Sequence, residues 1–456
     1  MTRILCGTTL PVLLIVSVPA ATPIASSVAL QRLDGSHHGI ATADLSADGR
    51  FVAFVSRASL SPADTNRQAN IYVLDRTSGR VTFESVRADG RAANGVSDHP
   101  RISGDGRFVV FSSSASDLLP LPHESPGSNV FLRDRETGRT TLVSRTPAGG
   151  LVNGWSDRPD ISADGRFIVF QSVATDLTRE ADANGTTYGI YRYEVATQAI
   201  VRVSVDDGGH QASNPSFAAS ISGNGRVIAF TSSAPLDHTA TYHTGNGPRD
   251  RRAYQVFVRD MYAGTTRLAS RTPDGHEGTG ASFHPAISAD GRVVAFASSA
   301  TDLVRGDRNR LDDVFRYDTA SGRITLVSRS ERGGGADNRS DWPALSADGR
   351  YVAFASEASN LTCTARCPKD FADLNLVADV YVSDSLTGTI VRVSGWDAVG
   401  GPWWEPSVGP ALDGAGRLIA FSSRHPIDDE DLGSDFDLIV RPIAEVAAGS
   451  ASRHSP

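Results

Sequence analysis

The sequence predicts an all-β fold, a seven-bladed β-propeller of four-stranded antiparallel blades, and three observations carry that prediction. The first is a phrase that returns seven times: a small residue, Asp or Asn, Gly, Arg, then an apolar run ending in Phe. It reads Ser46-Ala47-Asp48-Gly49-Arg50-Phe51-Val52-Ala53-Phe54 and again Ser103-Gly104-Asp105-Gly106-Arg107-Phe108-Val109-Val110-Phe111. It recurs at Gly165, Gly225, Gly291 and Gly349, and at Gly416 with Ala415 in place of the acid. Successive glycines stand 57, 59, 60, 66, 58 and 67 residues apart, a period that marks a repeat architecture.

The second observation is the pattern inside one unit. Asp-Gly between two apolar runs is a hairpin signal, because the turn needs positive φ and glycine supplies it without steric cost. The runs that follow, such as Phe167-Ile168-Val169-Phe170 and Val293-Val294-Ala295-Phe296, do not alternate with polar residues, so the strand is buried on both faces. A variable loop comes next, often opening like Ala300-Thr301-Asp302-Leu303. A third strand (Asp313-Val314-Phe315-Arg316-Tyr317-Asp318), a Ser-Gly or Thr-Gly turn and a fourth strand (Arg323-Ile324-Thr325-Leu326-Val327-Ser328) complete the unit. A single sheet cannot cover two apolar faces, whereas a ring of sheets can, and the ring leaves few exposed edges. Within the phrase, Asp sets the turn, Gly takes the left-handed conformation, and Arg is expected to reach carbonyls or a carboxylate of an adjacent blade.

The third observation concerns the two ends of the chain. The last unit has a third strand, Asp437-Leu438-Ile439-Val440-Arg441, but no good fourth, while Val28-Ala29-Leu30-Gln31-Arg32-Leu33 precedes the first turn and resembles fourth strands elsewhere. The ring is therefore expected to close by N-terminal strand pairing with the last blade.

The repeats have a family likeness. The phrase Ile161-Ser162-Ala163-Asp164-Gly165-Arg166-Phe167, with the later Asp313–Asp318 run, resembles the TolB-type, WD-like β-propeller repeats of bacterial envelope proteins. The resemblance covers nearly the whole chain after residue 27. It implies the blade, and a binding or gating task, rather than a particular ligand. TolB-type proteins carry a separate N-terminal α/β domain and usually six blades; this chain shows seven motifs and no room for that domain, so a Tol–Pal role does not follow.

Composition narrows the setting. Residues 1–27 read as a secretory signal, with Met1-Thr2-Arg3, an apolar stretch through Leu10–Val16 and a small-residue site at Val18-Pro19-Ala20. An uncleaved anchor is the rival reading, although the run is short for a spanning helix. Residues 28–445 form the propeller and 446–456 a polar tail. The protein is expected to be exported, periplasmic or secreted, without a membrane span after signal cleavage. Cys363 and Cys367, four apart in the longest loop of the sixth blade, suggest a local disulfide in such a setting; two free thiols or a metal pair are the alternatives. A net charge of −8 argues against nucleic acid, which demands a basic face.

No Gly-x-Ser-x-Gly elbow, His-Glu-x-x-His helix or phosphate loop is present. The informative positions lie just before each first strand, where the chain approaches the central channel at one rim. Asp98-His99, Asp157-Arg158, Phe283-His284 and Asp341-Trp342 occupy matching places, with Phe217-Ala218, Val408-Gly409 and Ala41-Thr42 in the other units. A ring that varies on a fixed frame is a candidate ligand surface; otherwise these residues fill and solvate the channel mouth. Trp403-Trp404 with Glu405 adds a stacking platform for sugar or peptide. A second constellation, Asp307, Asn309, Asp312 and Asp313, spaces oxygens as a calcium loop does, echoed by Asp64-Thr65-Asn66, Asp182-Ala183-Asn184 and Asp373-Leu374-Asn375 with Asp379. Calcium takes about six to eight oxygens, more than these side chains supply, and Asp and Asn are also ordinary turn formers. No other cofactor is implied.

The expected function is that of an exported, non-catalytic propeller binding an envelope or extracellular protein or a glycan at one rim of the channel. The alternative is a polysaccharide lyase or hydrolase using Asp98, Asp157, Asp341 and His99 or His284 as acid and base. That alternative requires two carboxylates about 5–10 Å apart and a raised pKa in a deep pocket.

Overall fold

Each repeat begins as a turn held by its own side chains. Asp48 accepts the Ser46 hydroxyl at 2.7 Å and the Arg50 N–H at 2.9 Å, while Gly49 sits at φ +72°. The arginine then makes a two-point contact with Asp75, at 3.1 and 2.8 Å. Arg107–Asp134, Arg226–Asp260 and Arg350–Asp384 repeat the pair. In each case the acid closes the third strand of the same blade, so the arginine clamps its own sheet rather than reaching the neighbouring one as the repeat suggested. The bidentate geometry, with Asp75, Asp134 and Asp384 held well below the usual carboxylate range chiefly by their arginine, is what favours Arg over Lys here.

The computed structural model describes residues 28–33, 42–120, 127–180, 182, 185, 187–242, 253–330, 333–362, 377–394, 406–424 and 436–443. They form seven four-stranded antiparallel sheets arranged as blades around a channel. The innermost strand of each blade touches the innermost strands of both neighbours, and the first, Ala43–Leu45, touches the last, Ser407–Leu412. In the seventh sheet Val28–Leu33 lies outermost against Phe436–Pro442, with Val28 opposite Val440 and Leu30 opposite Leu438. Cys363, Cys367, Trp403, Trp404 and Glu405 lie outside the described residues, as do residues 1–27 and 446–456.

The small residue that opens each phrase has a physical reason. Backbone bonds run from Ala47 N–H to Gly104 O, Gly104 N–H to Ala163 O, Asp164 N–H to Gly223 O, and onward through Ala289, Ala347 and Gly414, whose N–H returns to Ala47 O at 3.0 Å. The seven turns thus form a hydrogen-bonded hoop at one end of the channel. A Cβ on Gly104 would stand 2.9 Å from Ala163 O, so only the smallest side chains fit where the turns converge.

The apolar core consists of the layers between blades. Each of the seven buried clusters among the described residues draws on two adjacent blades, including one that joins Phe54, Tyr72 and Leu74 of the first blade to Ala420, Leu438 and Val440 of the seventh. Burial on both faces explains why the second and third strands read as unbroken apolar runs.

Candidate functional site at the channel mouth

At the end opposite the hoop, the innermost strands of blades two to seven each carry a bulge, seen as a register shift between Asp98 and Arg101, between Asp157 and Asp160, and at matching places onward. One residue in each bulge has left-handed backbone: His99, Arg158, Ala218, His284 and Trp342 at φ between +48° and +55°, and Gly409 at +66°. Such a conformation costs a non-glycine residue about 1–3 kcal/mol and clusters at functional sites, and a bulge re-aims the side chain it carries. His99, Arg158, His284 and Trp342 here line a central cavity of about 510 Å³ together with Asp98. Asp157 and Asp341 stand one residue back in the same bulges. Of the variable ring read from the sequence, the structure brings Thr42, Asp98, His99, Arg158, Ala218, His284, Trp342 and Gly409 to one cavity, while Ala41 lies outside the described residues.

The rim is chemically divided. Blades two and three are ionic. Asp98 accepts the His99 N–H at 2.6 Å, and burial holds the His99 imidazole below its ordinary pKa. Asp157 keeps a buried Oδ1 without a hydrogen-bond partner, and burial raises its carboxyl. Blades four to six carry a chain of touching rings. Phe217 meets Tyr254 edge-on at 4.9 Å between centroids, Tyr254 meets Phe283 at 6.0 Å, and Phe283 meets His284 at 6.2 Å. His284 stacks on Trp342 at 3.9 Å and 16°, and its Nδ1 lies 2.9 Å from Asp341 Oδ1 across the blade boundary.

Tyr254 escaped the sequence reading, as did Tyr188, whose hydroxyl burial raises beside Asp157 and Arg158. Both precede a third strand, a column that reads Ala69, Ser128, Tyr188, Tyr254, Asp312 and Ala378; aligning the repeats on that column would have found them. A deeper trio was also missed. Asp44, Arg101 and Asp160 line the channel below the bulges, in a column where blades four to seven have only Ser220, Ala286, Ala344 and Ala411. Asp44 Oδ2 accepts Ile102 N–H and Asp160 Oδ2 accepts Ile221 N–H, each at 2.9 Å, binding one blade to the next. Arg101 Nε lies 3.7 Å from Asp160 Oδ1.

Burial pushes the Asp44 carboxyl up to about 6, against the pull of Arg101. A carboxyl raised on folding stabilises the protein while protonated, below its unfolded value of 3.8, and loses that contribution as pH rises through about 6. Asp44→Asn, which keeps an acceptor for Ile102, is thus expected to stabilise the protein at pH 8 and change little at pH 4. Equilibrium denaturation at the two pH values checks this; equal effects at both would contradict it.

Of the calcium-loop residues, the structure groups Asp307, Asn309 and Asp313 but not Asp312. The Asp312 side chain turns to the rim, 3.9 Å from Arg339 and within the field of Asp341. Among the described residues no three His, Cys, Asp or Glu side chains converge as a metal site, and no helix is long and apolar enough to cross a membrane.

No protein-family model and no curated protein matches the chain. Solved structures do. The chain is similar to an oligogalacturonate lyase from Vibrio parahaemolyticus, with 12% identity over 92% of each chain and a TM-score of 0.50. It is also similar to a putative TolB from Agrobacterium tumefaciens (15% identity, 77% of this chain and 91% of that one, TM-score 0.40). TolB from Acinetobacter baumannii matches at 12% identity over 82% and 76%, with a TM-score of 0.38. The likeness is one of fold, and the neighbours include the TolB propellers that the repeats resemble.

Proposed function

We propose that the chain is an exported, non-catalytic propeller that binds a protein or glycan ligand at the bulged rim of its channel. The observation that carries this reading is the continuous arc of rings from Phe217 to Trp342 on the same mouth as the ionic bulges of blades two and three. Rings supply a stacking or apolar anchor, and the half-buried carboxylates and Arg158 supply orientation. Left-handed backbone recurs at His99, Arg158, Ala218, His284 and Trp342, which line this mouth, whereas in the hoop turns at the other end only glycines adopt it; such strain is the kind a fold retains where it presents side chains to a ligand. Capture from envelope extract paired with a glycan array tests the reading. Trp342→Ala is expected to weaken whatever is captured by about 30-fold, the effect of a central aromatic anchor. Capture indifferent to Trp342→Ala and to Asp341→Ala would sink it.

One observation favours the second reading, a polysaccharide lyase or hydrolase. Asp44 and Asp160 flank Arg101 inside the channel with both carboxyls raised chiefly by burial, which suits general acid–base work. Here the acids differ from those the sequence suggested. Release of unsaturated or reducing ends from a polysaccharide panel, abolished by Asp160→Asn, would establish it in place of the first.

A further inference from the structure

The repeats act as controls for one another in the loop before the third strand. In the first blade Asp64 is buried with both oxygens engaged: Oδ1 accepts Asn70 Nδ2 at 3.1 Å, and Oδ2 accepts the Tyr72 hydroxyl. In the third blade the equivalent Asp182 accepts the Tyr191 hydroxyl at 3.0 Å and pairs with Arg202 at 2.7 Å. In the sixth, Asp379 occupies the place of Asn70, each opposite the serine that ends the second strand, and lies 3.4 Å from Arg392. These carboxylates are each met by an amide, a phenol or a guanidinium.

The fifth blade places two carboxylates in this loop and removes the phenol and the guanidinium, leaving the Asn309 amide on Asp313 alone. Asp307 takes the place of Asp64 and Asp313 that of Asn70, while Phe315 replaces the tyrosine and Leu326 stands where Arg202 and Arg392 do. Asp307 is 3% exposed; its Oδ1 receives a long 3.4 Å bond from Asn309 N–H, and its Oδ2 is buried without a partner. Asp313 is fully buried, accepting the Ser328 hydroxyl at 2.6 Å and Asn309 Nδ2 at 2.7 Å. The two acids both border Gly335, where a Cβ would lie 2.9 Å from Asp313 Oδ2, 2.9 Å from Asn309 Nδ2 and 3.4 Å from Asp307 Oδ1. Two buried carboxylates without a counter-charge are strongly unfavourable.

We propose that Asp307 and Asp313 bind a calcium ion between them, on the flank of the fifth blade and apart from the channel mouth. The donors are oxygens throughout, which selects a hard cation, and calcium fills the rest of its six-to-eight-oxygen shell with carbonyls or water. Asn309 remains a turn former, its Oδ1 accepting Leu311 N–H at 2.9 Å and its Nδ2 donating to Ala336 O at 2.7 Å. The site does not depend on what the mouth binds.

The test uses the full chain, freed of metal with a chelator and titrated with calcium at neutral pH, followed by calorimetry and thermal unfolding. Saturable one-site binding and a rise in Tm on the order of a few degrees are expected. Asp313→Asn with Phe315→Tyr rebuilds the donors of the first blade and is expected to keep the fold while losing both signals. Asp307→Asn, nearly isosteric, is expected to weaken binding at least about tenfold, since affinity follows ligand charge. Absence of saturable binding at millimolar calcium overturns the proposal. So does binding that survives in the double variant, or a stability that falls between pH 4 and 6 and ignores calcium, because protons would then relieve the pair.

Discussion

Arg202→Leu is expected to lower stability by about 3–5 kcal/mol, the cost of leaving one member of a buried ion pair behind. The substitution gives the third blade the residue that the fifth has at that position. Arg202 and Asp182 are 8% and 5% exposed along their side chains, and their contact is 2.7 Å, so solvent does little to screen the carboxylate once the guanidinium is gone. The Tyr191 hydroxyl would still donate to Asp182, which is why the loss should not exceed this range. Asp182→Asn in the same chain removes the stranded charge and is expected to recover most of the stability, a coupling that equilibrium denaturation of the two single variants and the double variant measures. A loss below about 1 kcal/mol, or a double variant no better than Arg202→Leu, would show that burial of charge is tolerated in these loops, and the case for a cation beside Asp307 would lose its basis.

The blade was legible because its signals are local. Asp48-Gly49-Arg50 fixes a turn through contacts two residues apart, and the period then counts the blades. What the repeat could not show is which distant group a side chain meets. The repeat alone points Arg50 at a neighbouring blade, but the third strand folds Asp75 back beside it. The rim followed the same division. The varying pairs at Asp98-His99 and Asp341-Trp342 stood out in the alignment, and the bulges indeed bring them to the mouth. Tyr188 and Tyr254 were missed because they come from a different strand, and they reach the rim only because the third strand starts where the first one bulges. Asp44, Arg101 and Asp160 hid in an otherwise small-residue column, where one charge per blade reads as surface until the channel places all three together. The small residue of each phrase was visible seven times without its cause; a hoop of turns supplies it.

Phe296→Ala is expected to cost about 3–5 kcal/mol. Its ring is fully buried and stacks on Phe315 at 5.8 Å and 24°, in the layer that joins the fourth and fifth blades. Blades one to six all hold such a ring pair between second and third strands: Phe54–Tyr72, Phe111–Phe131, Phe170–Tyr191, Phe230–Phe257, Phe296–Phe315 and Phe354–Tyr381. The seventh does not, since Phe421 faces Ile439. Stacked pairs are worth about 0.5–1.5 kcal/mol beyond the area they bury, so Phe421→Ala, equally buried, should cost less than Phe296→Ala by about that amount. Denaturation of both variants decides it, and ligand capture at the rim should be unchanged in each while the protein stays folded. If Phe421→Ala proves the more damaging, the seventh blade, where Val28–Leu33 pairs with Phe436–Pro442, limits the stability of the whole ring, and ring pairs elsewhere are secondary to it.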